Sequence, residues 1–187
     1  MPTFSDLSRA AYCPRQLYYA RRDDDRGPPP EAEVRQTLAF RYDELRTADD
    51  ETLADLPIDL SPADYREALD DLSTRPDWEA LCEPTAQDYY VEGKDCHGLL
   101  HKLLAGDPPV PTVISPGEPP EQGVWKPQSV RAVAAANALA WEREREIPRV
   151  LVEYPAVGVV REVALTCRRT AAYRRVLRTV RSMDGPP

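Results

Sequence analysis

Cysteine is scarce and unpaired in this sequence: the four, at positions 13, 82, 96 and 167, show no Cys-x-x-Cys spacing. That excludes a local zinc knuckle and a disulfide framework, and it predicts free, reduced thiols. Long hydrophobic runs are also missing. The longest apolar stretches, such as VRAVAAANALAW, fall well short of the roughly 20 residues a bilayer-spanning helix needs. The opening residues, MPTFSDLSRAAYCPR, lack the basic-then-apolar order of an export signal, so the expectation is a cytoplasmic protein. No internal repeat is present. Lysine is nearly absent: of 24 basic residues only Lys94, Lys102 and Lys126 are lysines, against 32 acidic residues and a net charge of -8. An acidic, lysine-poor, arginine-rich surface stays hydrated in concentrated salt and predicts a halophilic source. The acidic total would ordinarily argue against a polyanionic partner, but in concentrated salt local patches decide. Histidine occurs twice, and both copies, His97 and His101, lie in the segment GKDCHGLLHKLL with Asp95 and Cys96.

What is present suffices for one domain: 187 residues with 42% hydrophobic content can bury a core. The first 80 residues read as mainly helical. FSDLSRAAYC starts a helix with Ser5 as cap, and PRQLYYARR restarts one with Pro14 in its first turn. GPPP, residues 27–30, ends that unit. Residues 31–56 carry Val34, Leu38, Tyr42 and Leu45 at helical spacing, and Ser61 with Pro62 opens the next helix. Beyond residue 80 the texture changes. DYYVEGK, GLLHKLL, PTVIS, RVLVEYPA and VVREVALT read as short strands, with helices at about 128–146 and 168–182 between and after them. This is an α/β order with a central mixed sheet flanked by helices. The Pro-rich SPGEPPEQGVWKP forms a loop of 13 residues, long enough to suggest a functional role.

Several of these segments resemble a known family. DLSRAAYCPRQLYYARR, with Tyr12, Cys13, Pro14 and Arg15, is similar to the opening of the CRISPR-associated RecB-type exonucleases (Cas family four). The later order of strands, ending in RVLVEYP and an arginine-rich helix, resembles that family's PD-(D/E)XK, restriction-endonuclease-like core over most of the chain. The resemblance implies a single domain over 1–187, with a helical part (1–80) and a nuclease-like core (81–187). It also implies DNA as a partner, and CRISPR adaptation or repair proteins beside it. In such a core an Asp and a Glu on neighbouring strands hold magnesium or manganese, the ion acidifies a water that attacks the phosphodiester, and a lysine orients that water.

Carried onto this chain, the family's metal-binding aspartate falls on Asp95 in one register and on His101 in the other, where GLLH takes the Gly-x-x-Asp position. The Glu-x-Lys position falls on Ser115 to Gly117, which supplies neither group; Glu118 and Lys126 are the nearest substitutes, and Gln128 begins the family's helix motif, with Ala132 where a tyrosine is expected. A rearranged catalytic set would therefore be His101, Glu118, Lys126 and Gln128, with Asp95 and His101 as metal candidates. Imidazole is a poorer magnesium ligand than carboxylate. On a regular strand Asp95 and His101 stand roughly 20 Å apart at ~3.3 Å per residue, so they share an ion only if the chain turns at Gly98. Iron–sulfur members of the family use one cysteine at the position of Cys13 and three near the C-terminus. Here only Cys167 is available there, and a cluster is not expected. Arg168, Arg169, Arg174, Arg175, Arg178 and Arg181 can neutralise phosphates or pair with the chain's own carboxylates. Tyr12, Tyr18 and Tyr19 can stack on bases or pack between helices. Trp125 should pin the long loop to the sheet, and Trp141 should lie on the apolar side of its helix. Three readings stand at this point: a divergent metal-dependent DNA nuclease, an inactive relative that binds nucleic acid or protein, and a scaffold with no nucleic-acid affinity.

Overall fold

A computed structural model describes residues 1–23, 29–183 and 185. The chain begins with α1 (Phe4–Tyr12), capped by Thr3: its side chain accepts the Asp6 amide and the Asp6 carboxylate receives the Thr3 amide. Ser5, expected as the cap, lies inside the first turn, because only the residue three before Asp6 can close this reciprocal pair. Pro14 opens α2 (Pro14–Arg22), as its fixed φ favours. Arg21 Nη2 binds Asp6 Oδ2 at 3.1 Å and ties α2 back to α1.

The expected GPPP stop lies partly outside the described residues. Pro30 itself opens α3 (Pro30–Thr37) rather than ending a unit. The continuous helical pattern over 31–56 is broken in space into α3, a 3-10 turn (Leu38–Phe40), α4 (Tyr42–Arg46) and α5 (Asp50–Ala54), the last capped by Asp49. Leu38, Tyr42 and Leu45 are buried as their spacing predicts, while Val34 is exposed. Ser61 caps α6 (Pro62–Ser73) through the Asp64 amide, and α7 (Trp78–Cys82) completes this helical layer.

The sheet has five strands in the order of the sequence: β1 (Ala86–Glu92), β2 (His97–Leu104), β3 (Val110–Ile114), β4 (Arg149–Tyr154) and β5 (Val159–Ala164). β1, β2 and β3 form an antiparallel meander; β4 lies parallel to β3, and β5 is antiparallel to β4. The parallel step needs a crossover, which α8 (Lys126–Arg143) supplies. α9 (Cys167–Arg181), capped by Thr166, follows β5. α1, α8 and α9 cover one face of the sheet around Leu7, Val113, Val133 and Tyr173; the other face packs on Tyr42, Tyr65, Leu69 and Leu81 from α4, α6 and α7. The result is an α/β sandwich of three layers. Among the described residues no helix is long and apolar enough to cross a membrane.

One charged pair lies wholly within this core. Lys102 on β2 and Glu153 on β4 are both fully buried, 2.8 Å apart, and Thr112 Oγ1 donates to the same carboxylate at 2.5 Å. The ammonium also donates to the carbonyls of Ala39 at 2.6 Å and Leu81 at 2.9 Å, and it lies 4.8 Å from the Tyr42 ring centroid. All three ammonium protons thus have acceptors. Lys102 pins the 3-10 turn and α7 to the middle of the sheet.

Candidate functional site

The regular pairing of β1 with β2 skips one level: Gln87 pairs with Lys102 and Tyr89 with Leu100, while Asp88 and His101 between them do not pair. Asp88 adopts φ 47 there, a left-handed conformation that aspartate tolerates better than most residues. The irregularity changes which face each strand presents. Leu100 and Leu103, three residues apart, both enter the α1/α8 core, whereas a regular strand would send them to opposite faces. His101 sits at this step. Pairing of β2 with β3 extends only to Lys102 with Thr112, and beyond it the His101 ring takes over: Nδ1 accepts the Ile114 amide at 3.0 Å. Accepting at Nδ1 requires that Nδ1 carry no proton, so the neutral ring holds its hydrogen on Nε2. Burial, with the nearby cations Arg131 and Lys102, pushes the His101 pKa down to about 3. The imidazole is neutral under ordinary conditions.

Arg131, in the second turn of α8, is the group that most changes the character of this place. Burial alone lowers its pKa to about 10, which still leaves it cationic near neutrality. Its Nε is sealed from solvent with no hydrogen-bond partner, and no carboxylate pairs with it among the described residues. One turn earlier, Gln128 donates from Nε2 to Ser115 Oγ at 3.2 Å, while its buried Oε1 is unpartnered. Continuing the register past Lys102 and Thr112 puts Val113 opposite His101, and Ser115 is the next residue on that face. The site positions expected at Ser115 to Gly117 lie past β3, which ends at Ile114. The group thus assembled is His101, Ser115, Gln128 and Arg131: neutral donors and acceptors around one uncompensated cation.

The other expected residues lie elsewhere. Asp95 is in the turn before β2, where it binds Arg181 of α9 at 2.7 Å; the structure does not bring it to His101. His97 pairs through Nδ1 with Tyr90 Oη at 3.1 Å. Glu118 and Lys126 are exposed, and Glu118 enters the local architecture through its carbonyl, which accepts Trp125 Nε1 at 2.9 Å. Among the described residues no three or more of His, Cys, Asp and Glu gather to hold a metal ion. Cys13 lies at the α1–α2 junction and Cys167 at the exposed start of α9; both are free thiols. Of the α9 arginines, Arg181 pairs with Asp95 and Arg169 donates to the Ala164 carbonyl. Arg168, Arg174, Arg175 and Arg178 are exposed and form no ion pair among the described residues; with Arg181 they make one basic face opposite buried Tyr173, Val176, Leu177 and Val180. Trp141, expected on the apolar side of α8, is instead 59% exposed, with Lys94 lying 5.8 Å from its ring centroid.

Arg131 escaped the sequence reading although a signal existed. It is the single charged residue in VRAVAAANALA, and a cation inside an otherwise apolar helical run marks either a buried pair or an anion site. The identity of the chain was sought in two comparisons: no family model matches the sequence, and no curated protein matches it.

Proposed function

We propose that this chain is a nuclease-like domain that binds DNA without hydrolysing it, a divergent relative of the RecB-type exonucleases in which the metal seat has become an anion seat. The reading rests on the resemblance of the sequence motifs. It is supported by the fold at the level of a five-stranded mixed sheet flanked by helices, in the order 1-2-3-4-5 with strands 2 and 5 running against the rest. On the register of the resemblance that puts GLLH at the Gly-x-x-Asp position, His101 takes the aspartate's place, and it stands where β2 and β3 part. The observation that carries the proposal is what stands there: a neutral imidazole committed to the Ile114 amide, beside a guanidinium with no counter-ion among the described residues. A half-buried cation repels magnesium or manganese and attracts phosphate oxygens. The basic face of α9 supplies the wider electrostatic contact that a protein of net charge -8 otherwise lacks. CRISPR adaptation or repair partners follow from the resemblance alone.

Binding without a metal makes the first test simple. Anisotropy of labelled single-stranded DNA, titrated over a range of potassium chloride concentrations, should give the same affinity with chelator as with magnesium. Changing Arg168, Arg174, Arg175 and Arg178 together to glutamine should lower the slope of log affinity against log salt by about 3, at ~0.7 per phosphate contact. A slope left unchanged would remove α9 from the interface. Affinity that appears only with magnesium would reject the anion seat.

A further inference from the structure

Two adjoining hollows open beside the Arg131 group, and their walls differ in kind. The first, of about 360 Å³, lies between the outer side of α1 and the start of α8 and is lined by Ser5, Ser8, Arg9, Gln16, Gln128 and Arg131. The second, of about 550 Å³, is lined by Tyr12, Trp125, Lys126 and Pro127. Tyr12, Pro127 and Gln128 border both. The polar hollow is lined by Gln128 and Arg131, whose Oε1 and Nε are among the buried polar atoms that lack partners. The second has the aromatic character that the first lacks: Tyr12 is 75% exposed and Trp125 is 53% exposed, unusual for rings of that size. Trp125 is held by its indole N–H on the Glu118 carbonyl, so the 13-residue loop fixes its ring at the mouth of the site instead of pinning the loop to the sheet.

We infer that the α1/α8 groove binds one nucleotide unit, its phosphate on Arg131 and its base against the rings of Tyr12 and Trp125. This deepens the DNA-binding reading and rests on it for the polymer. The groove recognises the shared chemistry of a phosphate joined to an aromatic base, whether that unit is a strand terminus or a free mononucleotide. The guanidinium supplies charge and paired donors to the phosphate oxygens, with the Ser5 and Ser8 hydroxyls on the same wall. The rings supply stacking, which tolerates any base.

Trp125 provides its own signal. Titrating the full chain with adenosine 5′-monophosphate should quench tryptophan emission saturably, and Trp125→Phe should remove the quench while Trp78 and Trp141 continue to emit. Adenosine alone and inorganic phosphate alone should each bind at least tenfold more weakly. Tyr12→Ala, at an exposed position whose loss does not threaten folding, and Arg131→Gln should each weaken the monophosphate at least tenfold. If Arg131→Gln does not fold by circular dichroism, Tyr12→Ala and the three-ligand series decide. No quench in the native protein, equal affinity for adenosine and its monophosphate, or an unaffected Tyr12→Ala would each overturn the inference. An oligonucleotide with a 5′-phosphate that binds more tightly than its dephosphorylated form assigns the site to strand ends; equal binding of the two, with the monophosphate still bound, assigns it to free nucleotides. DNA retained through α9 with no monophosphate binding would refute the groove and leave the DNA-binding reading standing; the reverse result would refute that reading and keep the groove.

Discussion

At the scale of single residues, His101 and Lys102 are neighbours on one strand, and burial forces them into opposite states. The His101 ring is held neutral because it must accept the Ile114 amide in a buried place beside two cations. The unfolded chain takes up that proton near the ordinary imidazole value of 6.5, and the folded chain only near 3. The stabilisation is therefore fully present above pH 6.5 and is lost as pH falls toward 3. From the size of that shift it amounts to about 5 kcal/mol. Urea unfolding as a function of pH should show this loss in the native protein, and His101→Gln should have a flatter profile over the same window; parallel profiles would show that the ring is not held neutral. Lys102 is instead buried as a charge, satisfied by Glu153 and two carbonyls. Lys102→Met alone should destabilise by about 3–5 kcal/mol because it leaves Glu153 buried without its cation, and adding Glu153→Gln should recover much of that. A double variant as unstable as the sum of the two single variants would mean that the pair is not coupled. Neither role was legible in the sequence, where HKLL reads as an ordinary strand. Polarity there depends on partners 13 and 51 residues away, Ile114 and Glu153.

At the scale of elements, local signals were read well and long-range ones poorly. Pro14, Ser61 and the five Val-, Leu- and Tyr-rich segments placed α2, α6 and all five strands to within a few residues, because caps and alternation are written into neighbouring positions. The broken α3–α5 region was read as continuous because the apolar spacing persists through the breaks, while the breaks follow from where the turn must meet Lys102. Trp141 was misplaced for a similar reason: the Ala-rich helix around it buries nearly everything else, and only the packing shows that its own side faces solvent. Packing one turn earlier on that helix depends on Gly93. A Cβ at Gly93 would stand 2.5 Å from the Ala138 Cα, a backbone atom that cannot rotate away. Gly93→Ala should therefore push α8 off the β1–β2 turn and cost about 1–3 kcal/mol. Thermal unfolding measures this directly, and an unchanged midpoint would show that the turn, not the helix, gives way.

At the scale of the whole molecule, the α/β class and the mixed sheet followed from the alternation of elements, and the structure bears out that much. Function was less legible, because a site is made by convergence. His101, Ser115, Gln128 and Arg131 span 31 positions and come together only because β2 and β3 are neighbouring strands and α8 packs on them. The sequence offered carboxylates in abundance; of the candidates, Asp95 is engaged by Arg181 and Glu118 is exposed. On the proposed reading, what converges there favours anions over metal cations. The most direct measurement is incubation of the purified protein with end-labelled single-stranded DNA in magnesium and in manganese, scored together for retained complex and for shortened products. Retained, full-length DNA in both metals and in chelator is the predicted result. Metal-dependent shortening that His101→Ala abolishes would mean that the site holds a working cation, and it would contradict the account.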